Sequence, residues 1–202
     1  MRRLHVCMLA ALLIGSGYAF QVNAAEIGEK APEFTLKDVH GNEHSLADYK
    51  GQFVVLEWIN HGCPFVVKFY DAGEMQRLQK KYREKGVEWL VICSSRPGSQ
   101  GYYESEDAAR ISEEKGAQHT AYLIDADGTV GRQYGAQVTP HMYVIDPDGV
   151  LRYQGAIDSI RSANQADIER ADNYVVMALE QAMAGEEVEI TVTRPYGCTV
   201  KY

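Results

Sequence analysis

Residues 52–65 read QFVVLEWINHGCPF, an apolar run that ends in a histidine, a glycine, a cysteine and a proline. The first nine residues have the length and the continuous apolar character of a buried parallel strand. Pro64 suits the first turn of a helix, because the N–H that proline lacks would be unpaired there anyway. The stretch therefore predicts that Cys63 lies where a buried strand ends and a helix begins.

This position would favour the thiolate form of a cysteine. The first turn of a helix presents unpaired N–H groups and a partial positive charge, and both stabilise a negative sulfur. His61 could add positive charge or accept a proton. We therefore predict that Cys63 is a nucleophile. The alternative is a small buried residue at a strand–helix turn, with His61 in a solvated loop.

Strands and helices alternate along the rest of the chain. The extended segments are the hairpin at residues 34–45, the runs at 87–95 and 120–125, and a second hairpin at 141–155. The helical patterns cover residues 64–82, 105–116 and a long amphipathic stretch that begins near Asn164. This order predicts an α/β sandwich with a central mixed sheet flanked by helices and an N-terminal hairpin.

The N-terminal 25 residues have the pattern of a secretory signal peptide. Arginines at positions 2 and 3 precede an apolar run, and small residues stand before a cleavage point near Ala25. A membrane anchor is the alternative, but the run is shorter than the ~20 residues that a span needs. We predict a periplasmic or secreted domain at residues 26–202, with an extended tail from about residue 186 and no membrane association in the mature form.

Charge and cysteine content narrow the function further. Loss of Arg2 and Arg3 with the leader changes the formal net charge from −8 to −10, which disfavours nucleic acid and anionic lipid as partners. Three cysteines remain, Cys63, Cys93 and Cys198. An odd number in an oxidising compartment implies at least one free or transiently paired thiol. This count favours a redox role.

Two cysteines could supply a second sulfur to Cys63. Cys93 ends the predicted strand VEWLVIC and would lie at the same edge of the sheet, although a small buried hydrophobic role explains it equally. Cys198 lies four residues from the C-terminus on the extended tail, where packing gives little reason for a cysteine. We favour Cys198 as the partner. A static Cys93–Cys198 disulfide and an unpaired tail remain alternatives.

Two weaker hypotheses concern other polar residues. Glu57 lies in the buried strand and could accept a proton, but we prefer the interpretation of a strand-edge carboxylate that faces solvent. His61, Cys63 and His141 would make a one-sulfur, two-nitrogen set that suits copper or zinc. The chain has six histidines, so two of them could lie near Cys63 by chance. We therefore predict neither a metal nor a dissociable cofactor.

Three longer stretches carry a resemblance to a known family. APEFTLKDVHGNEHSLADYKGQFVVLEWINHGCPF, residues 31–65, resembles the opening of thioredoxin-fold redoxins, which include thiol-disulfide oxidoreductases and peroxiredoxins of the AhpC/TSA type. QYGAQVTPHMYVIDPDGVLRYQGAID, residues 133–158, is similar to their second signature, with a cis proline at Thr139-Pro140. RPYGCTVKY, residues 194–202, resembles the Gly-Cys-x-x-Lys-aromatic tail of one peroxiredoxin-like subgroup.

The resemblance implies a thioredoxin-like fold and roles for particular residues. Cys63 matches the nucleophilic cysteine, and Pro64, Thr139 and Pro140 would shape a groove in which an extended substrate can pair with the backbone. Val66 stands where thioredoxins carry their second cysteine. Asn60 stands where peroxiredoxins carry the threonine that activates peroxide, and their proline is replaced as well.

These observations together predict an exported thiol-disulfide oxidoreductase. Cys63 would be its nucleophile, Cys198 or Cys93 its resolving thiol, and protein or small-molecule thiols and disulfides its partners. A peroxiredoxin-like thiol peroxidase is the first alternative, and the missing threonine argues against it. A non-enzymatic binding or metal-handling module built on the same fold is the second.

Overall fold

A computed structural model describes residues 24–202 of the chain, so nearly all of the predicted leader lies outside the described residues. Within the described part, no helix combines the length and the apolar character that a bilayer crossing requires.

The centre of the molecule is a seven-stranded mixed sheet. Its strands are β1 Thr35–Asp38, β2 Glu43–Ser45, β3 Val54–Trp58, β4 Glu88–Cys93, β5 Ala121–Ile124, β7 His141–Ile145 and β8 Leu151–Gly155. They lie in the order β2-β1-β5-β4-β3-β7-β8, with β3, β4 and β5 parallel and the other pairs antiparallel. The mixed sheet and both hairpins confirm the predicted fold class.

Helices cover both faces of the sheet. They are α1 Pro64–Asp71, α2 Glu74–Arg83, α3 Ser105–Glu114, α4 Thr129–Tyr134 and α5 Tyr174–Met183. Apolar side chains of α1, α2, α3 and α5 join one buried cluster, and those of α4 join the cluster on the opposite face. Helices on both faces of a mixed sheet make the three-layer sandwich that the sequence predicts.

Two helix predictions were wrong in their extent. The single helix predicted over residues 64–82 is interrupted at Gly73, which has a φ of 72° and begins α2. Glycine adopts this left-handed conformation without a steric penalty. Asn164 does accept a capping hydrogen bond, but from a short 3-10 helix, Gln165–Arg170, and Asn173 then caps the separate helix α5. Helix α4 was not predicted.

Strand β3 lies inside the sheet and ends just before the predicted nucleophile, Cys63. All five of its residues are buried, and it pairs with β4 on one side and β7 on the other. Two further strands form outside the main sheet, where β6 Val138–Thr139 pairs antiparallel with β9 Cys198–Thr199. The chain's C-terminus thereby returns to the end of β3.

Candidate active site

Cys63 lies directly between β3 and α1, as predicted. It is the N-cap residue of α1, its carbonyl accepts hydrogen bonds from the amides of Val66 and Val67, and Pro64 occupies the first helical position. The sulfur itself accepts no hydrogen bond from these helical amides. The helix therefore acts on the Cys63 thiol through its dipole alone.

The C-terminal arm, which we define as residues 194–202, brings Cys198 to the same point. Strand β9 sets Cys198 opposite Thr139, and the backbone amide of Cys198 donates a hydrogen bond to Cys63 Sγ at 3.3 Å. The Cys63 thiol donates to the carbonyl oxygen of Thr139 at 3.0 Å. The structure thus brings together the two cysteines that the sequence analysis favoured as a pair.

Cys198 therefore lies directly beside the Cys63 sulfur, and the two cysteines are not joined by a disulfide in the structure. Burial, together with the neighbouring Cys63 sulfur, raises the pKa of Cys198 to about 11. Cys63 has no exposed surface, whereas Cys198 keeps part of its surface in solvent. The pair is therefore asymmetric, with one interior sulfur and one at the surface.

The arm is anchored on both sides of Cys198. Before it, Tyr196 is buried, packs edge-on against the ring of Phe65 at 5.5 Å between centroids, and donates a hydrogen bond to Asp158. After it, the Tyr202 hydroxyl donates to the carbonyl of Ala136 at 2.6 Å. These contacts set the position of Cys198 over the end of β3.

A buried ion pair joins the arm to the helix that Cys63 begins. Lys68, on α1, has no side-chain exposure and places its Nζ 3.0 Å from Asp158 Oδ2. The other carboxylate oxygen of Asp158 accepts the hydroxyl of Tyr196. One carboxylate therefore holds both α1 and the arm, because a buried charge needs partners for all of its lone pairs.

The Thr139-Pro140 bond is cis, which confirms the prediction made for it. Both residues are buried, and Pro64 is exposed. The groove beside Thr139 was expected to receive an extended substrate. In the structure the chain's own arm occupies this strand-pairing position, with Thr139 opposite Cys198 and Gln137 accepting the amide of Val200 at 3.0 Å.

His61 does not contribute a positive charge to the site. Its ring packs against the rings of Tyr70, Tyr103 and Tyr122, and burial lowers its pKa to about 4. It is therefore neutral at pH 7, and the burial that excludes a positive charge also makes the ring a weak proton acceptor. Its Nε2 atom is buried without a hydrogen-bond partner.

Cys93 ends β4, as predicted, but it has different neighbours from the other two cysteines. Its thiol donates to the carbonyl of Gly101 at 3.3 Å, and burial raises its pKa. The sulfur of Cys63 instead contacts Thr139 and Cys198. Of the two candidates for a second sulfur, the structure places Cys198 beside Cys63.

The interpretation of Glu57 as a solvent-facing carboxylate was wrong. Its side chain is fully buried in β3, where it accepts hydrogen bonds from Trp89 Nε1 at 2.8 Å, the Tyr70 hydroxyl at 3.1 Å and Gln79 Nε2 at 3.3 Å. Burial raises its pKa to about 7 against the opposing effect of these donors. β3 lies inside the sheet, so it has no edge that faces water.

The suggested metal set is not formed. Nδ1 of His141 lies near the amide of Gln137 and the hydroxyl of Tyr143, and burial lowers the pKa of His141 to about 4. Over residues 24–202, no three side chains of His, Cys, Asp or Glu gather in a way that could hold a metal ion. His61, Cys63 and His141 therefore do not form a binding group.

Sequence reasoning missed the roles of Lys68, Asp158 and Tyr196. A weak signal existed, because Lys68 interrupts the apolar run VVKFY at a position that helical periodicity buries. A lysine on the core face of a helix needs a buried acid. Which acid it meets depends on a contact across 90 residues, for which the local pattern holds no information.

Comparisons with known proteins agree with this geometry. Residues 27–154 match the model of the AhpC/TSA family. The thiol-disulfide oxidoreductase ResA of Bacillus thuringiensis subsp. konkukian is 28% identical over 144 residues, which cover 71% of this chain and 78% of the relative.

Two solved structures show the extent of the likeness. An uncharacterized conserved protein from Geobacillus kaustophilus has a TM-score of 0.76 at 29% identity, and the match covers 89% of this chain and 94% of the other. The thioredoxin domain of a thiol-disulfide oxidoreductase from Bacteroides vulgatus has a TM-score of 0.53 at 22% identity, over 73% of this chain and 98% of that domain. The second likeness shows the thioredoxin-like fold alone.

Proposed function

The chain belongs to the AhpC/TSA family, and we propose that this thiol-disulfide oxidoreductase carries its redox chemistry on a pair formed by Cys63 and Cys198. The observation that supports the pair is the hydrogen bond of 3.3 Å from the Cys198 amide to Cys63 Sγ. It keeps Cys198 beside the Cys63 sulfur without a movement of the arm.

The pair cycles between a dithiol and a disulfide. When the dithiol reduces a substrate disulfide, the two protein sulfurs form one bond, the substrate bond breaks, and two electrons and two protons pass to the substrate. The reverse reaction oxidises two substrate thiols. Val66 stands where thioredoxins carry their second cysteine, but this does not prevent the cycle. The arm supplies the second sulfur from Cys198 instead.

The remaining roles follow from the contacts. The Thr139 carbonyl accepts a hydrogen bond from the Cys63 thiol in the reduced state, and Lys68 and Asp158 position the arm. The substrates are protein or small-molecule thiols and disulfides. We further propose that residues 1–25 are a leader and that the domain works in the periplasm or outside the cell, since the N-terminal pattern supports export.

Peroxidase chemistry has less support. Asn60 stands where peroxiredoxins carry their threonine, and its side chain is engaged elsewhere. Its Oδ1 accepts the amide of Gly62 at 2.8 Å, and its Nδ2 donates to Gln100 at 3.0 Å. Asn60 carries no hydroxyl, and both ends of its side-chain amide are already bonded to other groups.

Disulfide reductase turnover tests the proposal, with an external dithiol as electron donor and a small disulfide as acceptor. Cys63→Ser and Cys198→Ser should each reduce turnover to background. Cys93→Ser is the matched control and should retain activity, because its thiol lies outside the pair. Peptide mapping of the oxidised protein should recover a Cys63–Cys198 disulfide. A disulfide that joins Cys63 to Cys93, or full activity of Cys198→Ser, would reject the pair.

A further inference from the structure

The interior sulfur of the pair is covered by the arm. Cys63 has no exposed surface, although Gly62 and Pro64 on either side of it are both exposed. The amide of Cys198 and the carbonyl of Thr139 both contact its sulfur. A reactant that arrives from solvent therefore has no direct access to Cys63 Sγ while the arm is docked.

The arm is built to stay docked. Tyr196 is bonded to Asp158 before Cys198, and β9 pairs with β6 at Cys198 itself. Beyond it, the amide of Arg96 donates to the Lys201 carbonyl at 2.8 Å. Undocking would break these bonds together and would separate Asp158 from one of its partners.

Resting on the proposed function, we infer that Cys198 is the sulfur that exchanges with reactants from solution, while Cys63 is an interior partner that never leaves the arm's cover. The reactants are small-molecule thiols and disulfides. An extended protein chain would need the strand-pairing position beside Thr139, and Cys198 already fills it.

The reduction of the oxidised protein would then run in two balanced steps. A small thiolate attacks Cys198 Sγ, a bond forms between these two sulfurs, the Cys63–Cys198 bond breaks, and Cys63 leaves with the electron pair. A second small thiolate attacks the small-molecule sulfur of this mixed disulfide, which forms the small-molecule disulfide and releases Cys198 to take up a proton. Two electrons pass from two small thiols to the protein disulfide.

The leaving groups favour this order. Thiol–disulfide exchange is faster when the surroundings of the departing sulfur stabilise its negative charge. Cys63 leaves at the N-terminus of α1, where the helix dipole and the Cys198 amide both stabilise a negative sulfur.

Trapping of the first mixed disulfide tests the inference. The oxidised wild-type protein is mixed with excess reduced glutathione for a few seconds and quenched with acid. Peptic digestion at low pH and mass spectrometry then locate the glutathione. We expect about tenfold or more glutathione on Cys198 than on Cys63. No variant is required, so a folding defect cannot confuse the result.

Each outcome decides the inference. Glutathione on Cys198 supports it. Glutathione found mainly on Cys63 would overturn it and leave the proposed function standing, because the pair would still exchange but with the arm displaced. If no Cys63–Cys198 disulfide forms on oxidation, the proposed function fails and the inference fails with it.

Discussion

Lys68 and Asp158 form an ion pair of 3.0 Å in which the two side chains keep 0% and 2% of their surface exposed. The pair links the helix that begins at Cys63 to the carboxylate that also holds Tyr196 of the arm. A buried charge that loses its partner pays a desolvation cost with no compensation. The position of Cys198 therefore depends on a contact that involves neither sulfur.

Replacement of Lys68 by methionine should destabilise the protein. We expect the free energy of unfolding in urea to fall by about 3–5 kcal/mol, the usual cost of a buried charge left unpaired. Lys115→Met is the matched control, because the Lys115–Asp71 pair has side chains 34% and 39% exposed and such pairs contribute at most about 1 kcal/mol. Equal losses in the two variants would show that the Lys68–Asp158 pair has no special role.

Gly197→Ala should release the arm. A Cβ at this position would lie 1.9 Å from the carbonyl oxygen of Thr139, and the φ of 150° is itself strained for residues other than glycine. Strain of this kind costs about 1–3 kcal/mol, and each 1.36 kcal/mol is a factor of ten, so the alkylation rate of Cys63 should rise about tenfold or more. Iodoacetamide labelling followed by peptide mapping measures this rate.

The matched control for this experiment is Gly185→Ala. Gly185 also has a positive φ, of 75°, but a Cβ there meets no atom within 4 Å and the residue precedes the arm. It should leave the labelling of Cys63 unchanged. If Gly197→Ala labels Cys63 no faster than Gly185→Ala does, the arm does not cover the sulfur.

Local patterns predicted the parts of the site that are local. The apolar run that ends at Ile59, the proline after Cys63 and the hairpin around Asp146–Gly149 each leave a signature within a few residues. They placed Cys63 at the end of β3, and the odd cysteine count pointed to Cys198. The break at Gly73 was missed because a glycine within a helical pattern does not reveal whether its φ is positive.

The environment of Glu57 could not be predicted in this way. Whether a strand lies at the edge or inside a sheet depends on strand order, and β3 acquires β7 as a neighbour from more than 80 residues downstream. Once both neighbours are present, its side chains meet covered faces of the sheet. The partners Trp89, Tyr70 and Gln79 come from three other elements, so the buried carboxylate follows from tertiary contacts alone.

Glu57 should make stability depend on pH. Burial raises its pKa from 4.5 to about 7 in the folded protein, so the folded state holds the proton more tightly than the unfolded state. This contribution is fully present below pH 4.5 and is lost as the pH rises through 7. A shift of this size corresponds to about 3 kcal/mol. Between pH 4.5 and 7, wild type should lose this stability relative to Glu57→Gln.

The difference between the two proteins is the quantity to measure. Burial lowers the pKa of His61, His119 and His141 to about 4, and these groups act in the opposite sense, because their contribution is lost as the pH falls below about 6.5. Their effect is common to both proteins and cancels in the comparison. Urea midpoints across this range that stay parallel in the two proteins would show that Glu57 does not titrate there.

Oxidation of the Cys63–Cys198 pair should stabilise the fold. The bond would close a loop of 135 residues, and the loss of chain entropy in the unfolded state sets an upper limit of about 5 kcal/mol on the gain. We expect only a small loss of this gain to native rearrangement, since the backbone of Cys198 already lies against the Cys63 sulfur. Denaturation of oxidised and reduced protein measures the difference, and Cys198→Ser treated with the same oxidant should show none.

A Cys93→Ser variant must keep the full difference, because Cys93 contacts Gly101 and not the pair. If oxidised and reduced wild type unfold at the same urea concentration while mapping shows the disulfide in place, the arm must be strained by the bond, and the docked geometry described here would not be that of the oxidised protein.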